Sequence, residues 1–187
     1  MRVFIAIEFE QHIKDQLYNI QQRVVNCSTS GNFTRPENFH LTLKFIGEVQ
    51  PPFINEITAA MKETAKACKP FSLHLGDLGS FPRGNKKIIW IGLKGELDRL
   101  NHLFSRLDTA LNNIGIARDT RKYSPHITLG REVSLSVDFS KLAEDIIPKI
   151  SENCSSVIKV SKISLMESTR KDGRLIYLPL YIQPLSD

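Results

Sequence analysis

The chain has 187 residues, enough for one good-sized core or two small lobes sharing one, with an ordinary globular composition of 41% apolar and 24% charged residues. No apolar run approaches a membrane span, and Cys27, Cys68 and Cys154 form neither a C-x-x-C nor a zinc-ligand spacing, which argues against a membrane protein, a disulfide framework or a zinc site. The net charge of +5 favours anionic partners such as RNA or nucleotides without naming one.

Residues 3–9 are a dense β-branched and aromatic run, read as a buried strand, and too short for a signal peptide. From near Glu10 a helix places Ile13, Leu17, Ile20 and Val24 on one face. Residues 26–32, rich in Ser, Thr and Gly, read as a loop. Pro36-Glu37-Asn38 leads into a strand over 39–46, ended by Gly47. Pro51 and Pro52 open a second helix carrying Ile54, Ile57, Met61, Thr64 and Cys68, which Pro70 stops, and residues 71–78 return to strand. The second half replays this order. A strand over 86–94 precedes a helix striped by Leu97, Leu100, Phe104, Leu107, Leu111 and Ile114 and closed by Gly115. Pro125 precedes a strand over 126–131, and a short helix spans 138–147. Strands over 156–166 and 174–182 form a hairpin through Lys171-Asp172-Gly173. Strand, helix, strand, helix, strand, given twice without a linker, predicts an α+β protein whose two pseudo-equivalent lobes carry antiparallel or mixed sheets.

One tetrapeptide recurs at the same place in each half: His40-Leu41-Thr42-Leu43 and His126-Ile127-Thr128-Leu129. Side chains alternate faces along a strand, so each His shares a face with its Thr. Bringing the two faces together would oppose two imidazoles, each with a hydroxyl beside it. Hydrolysing a phosphodiester without a metal needs a base for water, an acid for the leaving alkoxide and donors for the non-bridging oxygens. Imidazole, titrating near pH 6.5, can supply one neutral and one protonated partner at working pH. The threonine hydroxyls can donate to the phosphate.

Strict alternation puts Lys44 on the face of His40 but Arg131 on the face opposite His126, unless a bulge at Gly130 re-aims Arg131 toward phosphate or RNA. His12, His74 and His102 lack the Thr companion and read as structural or solvated. Basic clusters at Arg83-Lys86-Lys87, Arg118-Arg121-Lys122 and Arg170-Lys171-Arg174 fall in predicted loops, solvated by default, with a phosphate-contacting rim as the alternative. Phe33, Tyr123 and Tyr177 read as packing, with base stacking the alternative. Motifs for phosphate loops, dinucleotides, zinc proteases and serine hydrolases are missing from the sequence.

At these residues the chain resembles the 2H phosphoesterase superfamily, and more narrowly the RNA 2′,3′-cyclic phosphodiesterases once labelled 2′-5′ RNA ligases. The likeness rests on Arg35-Pro36-Glu37-Asn38-Phe39-His40-Leu41-Thr42-Leu43-Lys44-Phe45-Ile46-Gly47 and on Tyr123-Ser124-Pro125-His126-Ile127-Thr128-Leu129-Gly130-Arg131. Support comes from the opening Arg2-Val3-Phe4-Ile5-Ala6, a Phe81-Pro82 turn before Ile89-Trp90-Ile91-Gly92-Leu93, and Leu165-Met166-Glu167-Ser168. The chain departs at Thr34-Arg35, where the family often has Trp-Val. The resemblance implies a bilobal fold with a central cleft, one domain over 1–187 made of two interleaved lobes. It implies a reaction that uses neither metal nor cofactor and opens the 2′,3′-cyclic phosphate of RNA ends or nucleotides to a 2′-phosphomonoester. Carried over by motif, His40 is the proton donor and His126 the proton acceptor; Thr42 and Thr128 hold the phosphate. A cytoplasmic monomer with no membrane or protein partner is expected. The alternatives are a 2′-5′ RNA ligase or 2′,5′-phosphodiesterase using the same dyad, and a non-catalytic module that binds RNA ends.

Overall fold

The opening strand β1 (Arg2–Glu8) forms because its alternate residues Val3, Ile5 and Ile7 can all turn to one face and bury there. In the computed structural model, which describes residues 1–152 and 157–186, it is followed by α1 (Gln11–Asn26), β2 (Ser28–Phe33), β3 (His40–Glu48), α2 (Ile54–Ala65), β4 (Phe71–Arg83) and β5 (Lys86–Gly95). The remainder is α3 (Leu97–Asn113), β6 (Ile127–Leu135), α4 (Phe139–Glu152), β7 (Ile158–Val160), β8 (Lys162–Lys171) and β9 (Arg174–Pro184).

The strands make two sheets, ordered β3-β1-β8-β9 and β2-β6-β5-β4-β7, with every pair antiparallel. The duplication is visible in the orders β3-β1-β8 and β6-β5-β4. Each half keeps its first strand and its motif strand, then gives its last long strand to the other half's sheet. This exchange explains why the sequence has no linker. One continuous apolar cluster joins both sheets to the helices, and the leucine stripe of α3 enters it through Leu100, Leu103, Leu107 and Leu111. Among the described residues no helix is long and apolar enough to cross a membrane.

The structure corrects four sequence expectations. Residues 28–33, expected as loop, form the edge strand β2; its polar sequence gives no pattern, and β6 supplies the pairing that fixes it as a strand. The expected strand over 156–166 is two strands in different sheets: Ile158–Val160 pairs with β4, and the chain crosses at Ser161 before Lys162–Lys171 pairs with β1 and β9. Its residue 156, like Cys154, lies outside the described residues. Phe81 and Pro82 are not a turn but continue β4, opposite Ile88 and Lys87. The reversal falls at residues 84–85, where Gly84 takes φ +58°, a conformation cheap for glycine. Consequently Arg83, Lys86 and Lys87, like Arg170, Lys171 and Arg174, stand on strands flanking hairpin turns rather than in loops.

Candidate active site

The cross-strand register fixes which side chains share a face. Glu8, Ala6 and Phe4 lie opposite His40, Thr42 and Phe45, while Ile7, Ile5 and Val3 lie opposite Leu41, Lys44 and Gly47. The former set makes up one face of the sheet, and the latter is turned toward the core. Thr42 pairs with Ala6 and Lys44 with Ile5, so Leu43 is an extra residue, a β-bulge. The second motif strand does the same: Thr128 lies opposite Trp90 and Gly130 opposite Ile89, leaving Leu129 over. Both bulges therefore fall on the last residue of the repeated tetrapeptide.

Each bulge re-aims the residues beyond it. Lys44, expected on the face of His40, turns inward and is 2% exposed. Its Nζ donates to Asp108 at 2.7 Å, to Asp119 at 3.0 Å and to the Ala117 carbonyl at 2.9 Å. Arg131 goes the other way, between the Leu129 bulge and a second irregularity that returns Val133 to the core. The return passes through Glu132 at φ +51°, where a non-glycine residue costs about 1 kcal/mol. Arg131 consequently shares the face of Thr128, and its charge acts on His40 and Tyr177. The carbonyl freed at Leu129 accepts from the backbone N–H of Thr34 at 2.9 Å and from Gln21 Nε2 at 2.7 Å, so the bulge leaves no buried acceptor unpaired.

Both histidines are held the same way. His40 Nδ1 lies 2.7 Å from the carbonyl of Asn38, and His126 Nδ1 2.8 Å from that of Ser124. A carbonyl only accepts, so each Nδ1 carries the hydrogen and each Nε2 is left to do chemistry. His40 Nε2 meets Thr42 Oγ1 at 3.0 Å. The rings of Phe4 and Tyr177 pack on His40, with centroids at 4.9 and 5.1 Å. His126 packs on Phe81 at 5.2 Å and Trp90 at 5.9 Å. Trp90 in turn covers Gly79 so closely that a Cβ there would stand 2.1 Å from its ring.

The two motif strands β3 and β6 touch, and the two imidazoles lie within electrostatic reach of each other. Burial is the main influence lowering the proton affinity of His40 below the ordinary histidine value, helped by the charges of Arg131 and His126. The Asn38 carbonyl and the Glu8 carboxylate pull it back up. Glu8 itself accepts a hydrogen bond from the buried hydroxyl of Ser164 at 2.5 Å. Among the described residues no group of three or more His, Cys, Asp or Glu side chains is placed to hold a metal ion.

Sequence reasoning missed the ties between the halves. Tyr123, stacked on Phe104 at 4.1 Å, donates its hydroxyl to the carbonyl of Thr42 at 3.1 Å. Together with Lys44 it fastens the segment that delivers His126 onto the strand that carries His40. Burial pushes the Tyr123 phenol far above its usual range, so it stays a donor. The only sequence signal for these ties was a lysine in an otherwise apolar strand.

The model of the family described as LigT-like phosphoesterase matches this chain twice, over residues 7–90 and 91–177, the two halves seen in the sheets. The chain is 31% identical to an RNA 2′,3′-cyclic phosphodiesterase of Thermotoga maritima over 97% of its own length and 94% of that protein. It is 30% identical to one of Escherichia coli over 96% of its length and 93% of that protein. In fold it is similar to E. coli LigT complexed with 3′-AMP, at a TM-score of 0.77 and 23% identity, covering 100% of this chain and 98% of that one. A repeat matched in both halves and likeness along nearly the whole length have one reading: this chain belongs to the LigT-like phosphoesterase family.

Proposed function

We propose that this chain is an RNA 2′,3′-cyclic phosphodiesterase, a single domain of two interleaved lobes, which opens the cyclic phosphate of RNA ends or nucleotides to a 2′-phosphomonoester. The observation that carries the reading is the pair of imidazoles pinned at Nδ1, each offering Nε2 beside a threonine of a bulged strand. His126 Nε2 takes a proton from water as its oxygen bonds to phosphorus. The bond from phosphorus to the ribose 3′ oxygen breaks, and His40 Nε2–H protonates that oxygen, leaving a 3′-hydroxyl. Thr42, Thr128 and Arg131 hold the non-bridging oxygens. Names of relatives that act on RNA 2′,3′-cyclic phosphate support the substrate class.

The division of labour rests on an asymmetry. His40 has a carboxylate, Glu8, across the strand, whereas Ile127, next to His126, lies opposite Ile91, which places Gly92 in the corresponding position. A carboxylate favours the protonated imidazole, as an acid requires. Burial and Arg131 oppose it in the free protein, and the negative charge of a docked phosphate opposes them in turn. The sign gives a prediction. The limb of log kcat/KM against pH that belongs to His40 falls below pH 6.5. Glu8→Gln removes a negative charge and moves that limb to lower pH, while Arg131→Gln moves it to higher pH. Equal profiles for all three proteins would remove His40 from the titration.

The deciding experiment is incubation with a nucleoside 2′,3′-cyclic phosphate in EDTA, with the product identified by phosphorus NMR. Turnover to the 2′-phosphate is expected. Tight binding without turnover would instead make the protein an end-binding module, and joining of RNA ends through a 2′-5′ bond would make it a ligase.

A further inference from the structure

β3 inverts the usual rule for a strand on a core. It buries a lysine, Lys44, and leaves the next residue, Phe45, 52% exposed. An exposed large aromatic is the costly arrangement, and the Leu43 bulge is what imposes it. The register puts Phe45 on the face of His40 and Thr42, opposite Phe4, whose ring touches the His40 imidazole. Arg2 lies over the Phe45 ring, its guanidinium carbon 5.0 Å from the centroid, and the same arginine acts on Tyr177 beside His40. In the duplicated half the third residue after the motif threonine is Arg131, so the pseudo-symmetric partner of an arginine is here a phenylalanine with an arginine borrowed from β1.

Two equivalent positions beside one phosphate thus carry different chemistry, a cation on one side and an aromatic plane on the other. A phosphate alone has no use for the aromatic plane. We propose that Phe45, backed by Arg2, is the platform on which the base of the substrate's terminal nucleoside stacks. This rests on the reading that the phosphate lies between His40 and His126. Every base has a π-face, so the platform accepts all four bases.

Calorimetric binding of adenosine 2′-monophosphate and of inorganic phosphate tests it without requiring turnover. Stacking on an aromatic is worth enough that Phe45→Ala weakens the nucleotide about tenfold, leaves phosphate unchanged, and is rescued by Phe45→Trp. Being exposed, the position tolerates either change without unfolding, which a thermal melt checks. A nucleotide affinity within twofold of the unsubstituted protein, or equal loss for nucleotide and phosphate, overturns the proposal. So does an unsubstituted protein that binds no nucleotide. If binding depends on Phe45 while no cyclic phosphate is hydrolysed, the platform stands and the catalytic reading falls.

Discussion

Alanine at His40 or at His126 lowers kcat on a nucleoside 2′,3′-cyclic phosphate by about 10²- to 10⁴-fold, the usual size of one acid–base contribution. The two losses do not add. With the base gone the attacking water is not deprotonated, and an acid poised on the leaving oxygen has little charge to neutralise. The double variant therefore sits within about tenfold of the worse single one. His126 is half-buried and its ring makes no hydrogen bond beyond the Ser124 carbonyl in the structure, so its removal is a clean test. His40 packs between Phe4 and Tyr177, so His40→Gln, which refills part of that space, accompanies His40→Ala. Single-turnover rates measured at saturating substrate separate chemistry from binding. A loss below tenfold in either variant with an unchanged melting temperature would mean that the group transfers no proton in the limiting step. Fully multiplicative losses would mean that the two act in separate steps.

The catalytic pair was legible because it is written twice at one offset, and strand alternation is enough to put each His beside its Thr. The helices were legible from their stripes, which the core uses as read: Ile13, Leu17, Ile20 and Val24 in α1, and Leu100, Leu107 and Leu111 in α3. What failed was anything decided by a partner strand. The sequence Ser28-Thr29-Ser30-Gly31-Asn32 has no strand pattern and becomes one because β6 is there to pair with it. The change of sheet at Ser161 is set by which strands wait on either side. The bulges were half legible. Gly130 invited one, and Arg131 does reach the face of Thr128. The identical bulge at Leu43 left no glycine to announce it, so Lys44 was placed on the wrong face and Phe45 was overlooked. A period-2 pattern reads side-chain direction only while the register holds.

The misplaced lysine yields the largest expected effect on stability. Lys44 is enclosed, Asp108 is 8% exposed, and their 2.7 Å contact spans from β3 to α3. Removing one partner of a buried pair leaves the other charge without compensation and costs about 3–5 kcal/mol. For a chain of this length each kcal/mol lowers Tm by roughly 2–4 °C, so Lys44→Ala melts about 10 °C below the unsubstituted protein. The arms of the interaction differ. Asp119 reaches the same Nζ, but its side chain is half exposed, and Asp119→Asn costs under about 1 kcal/mol. Because the harm lies in the orphaned carboxylate, Lys44→Met with Asp108→Leu recovers much of the loss that Lys44→Met alone incurs. Recovery of stability need not recover rate. The ammonium also binds the Ala117 carbonyl, and so holds down the segment that runs through Tyr123 to His126. The doubly substituted protein is expected to melt near the original temperature while its kcat stays reduced. If both return together, the ion pair supports the fold alone; if Lys44→Ala shifts Tm by less than about 2 °C, the carboxylate left behind is solvated rather than orphaned.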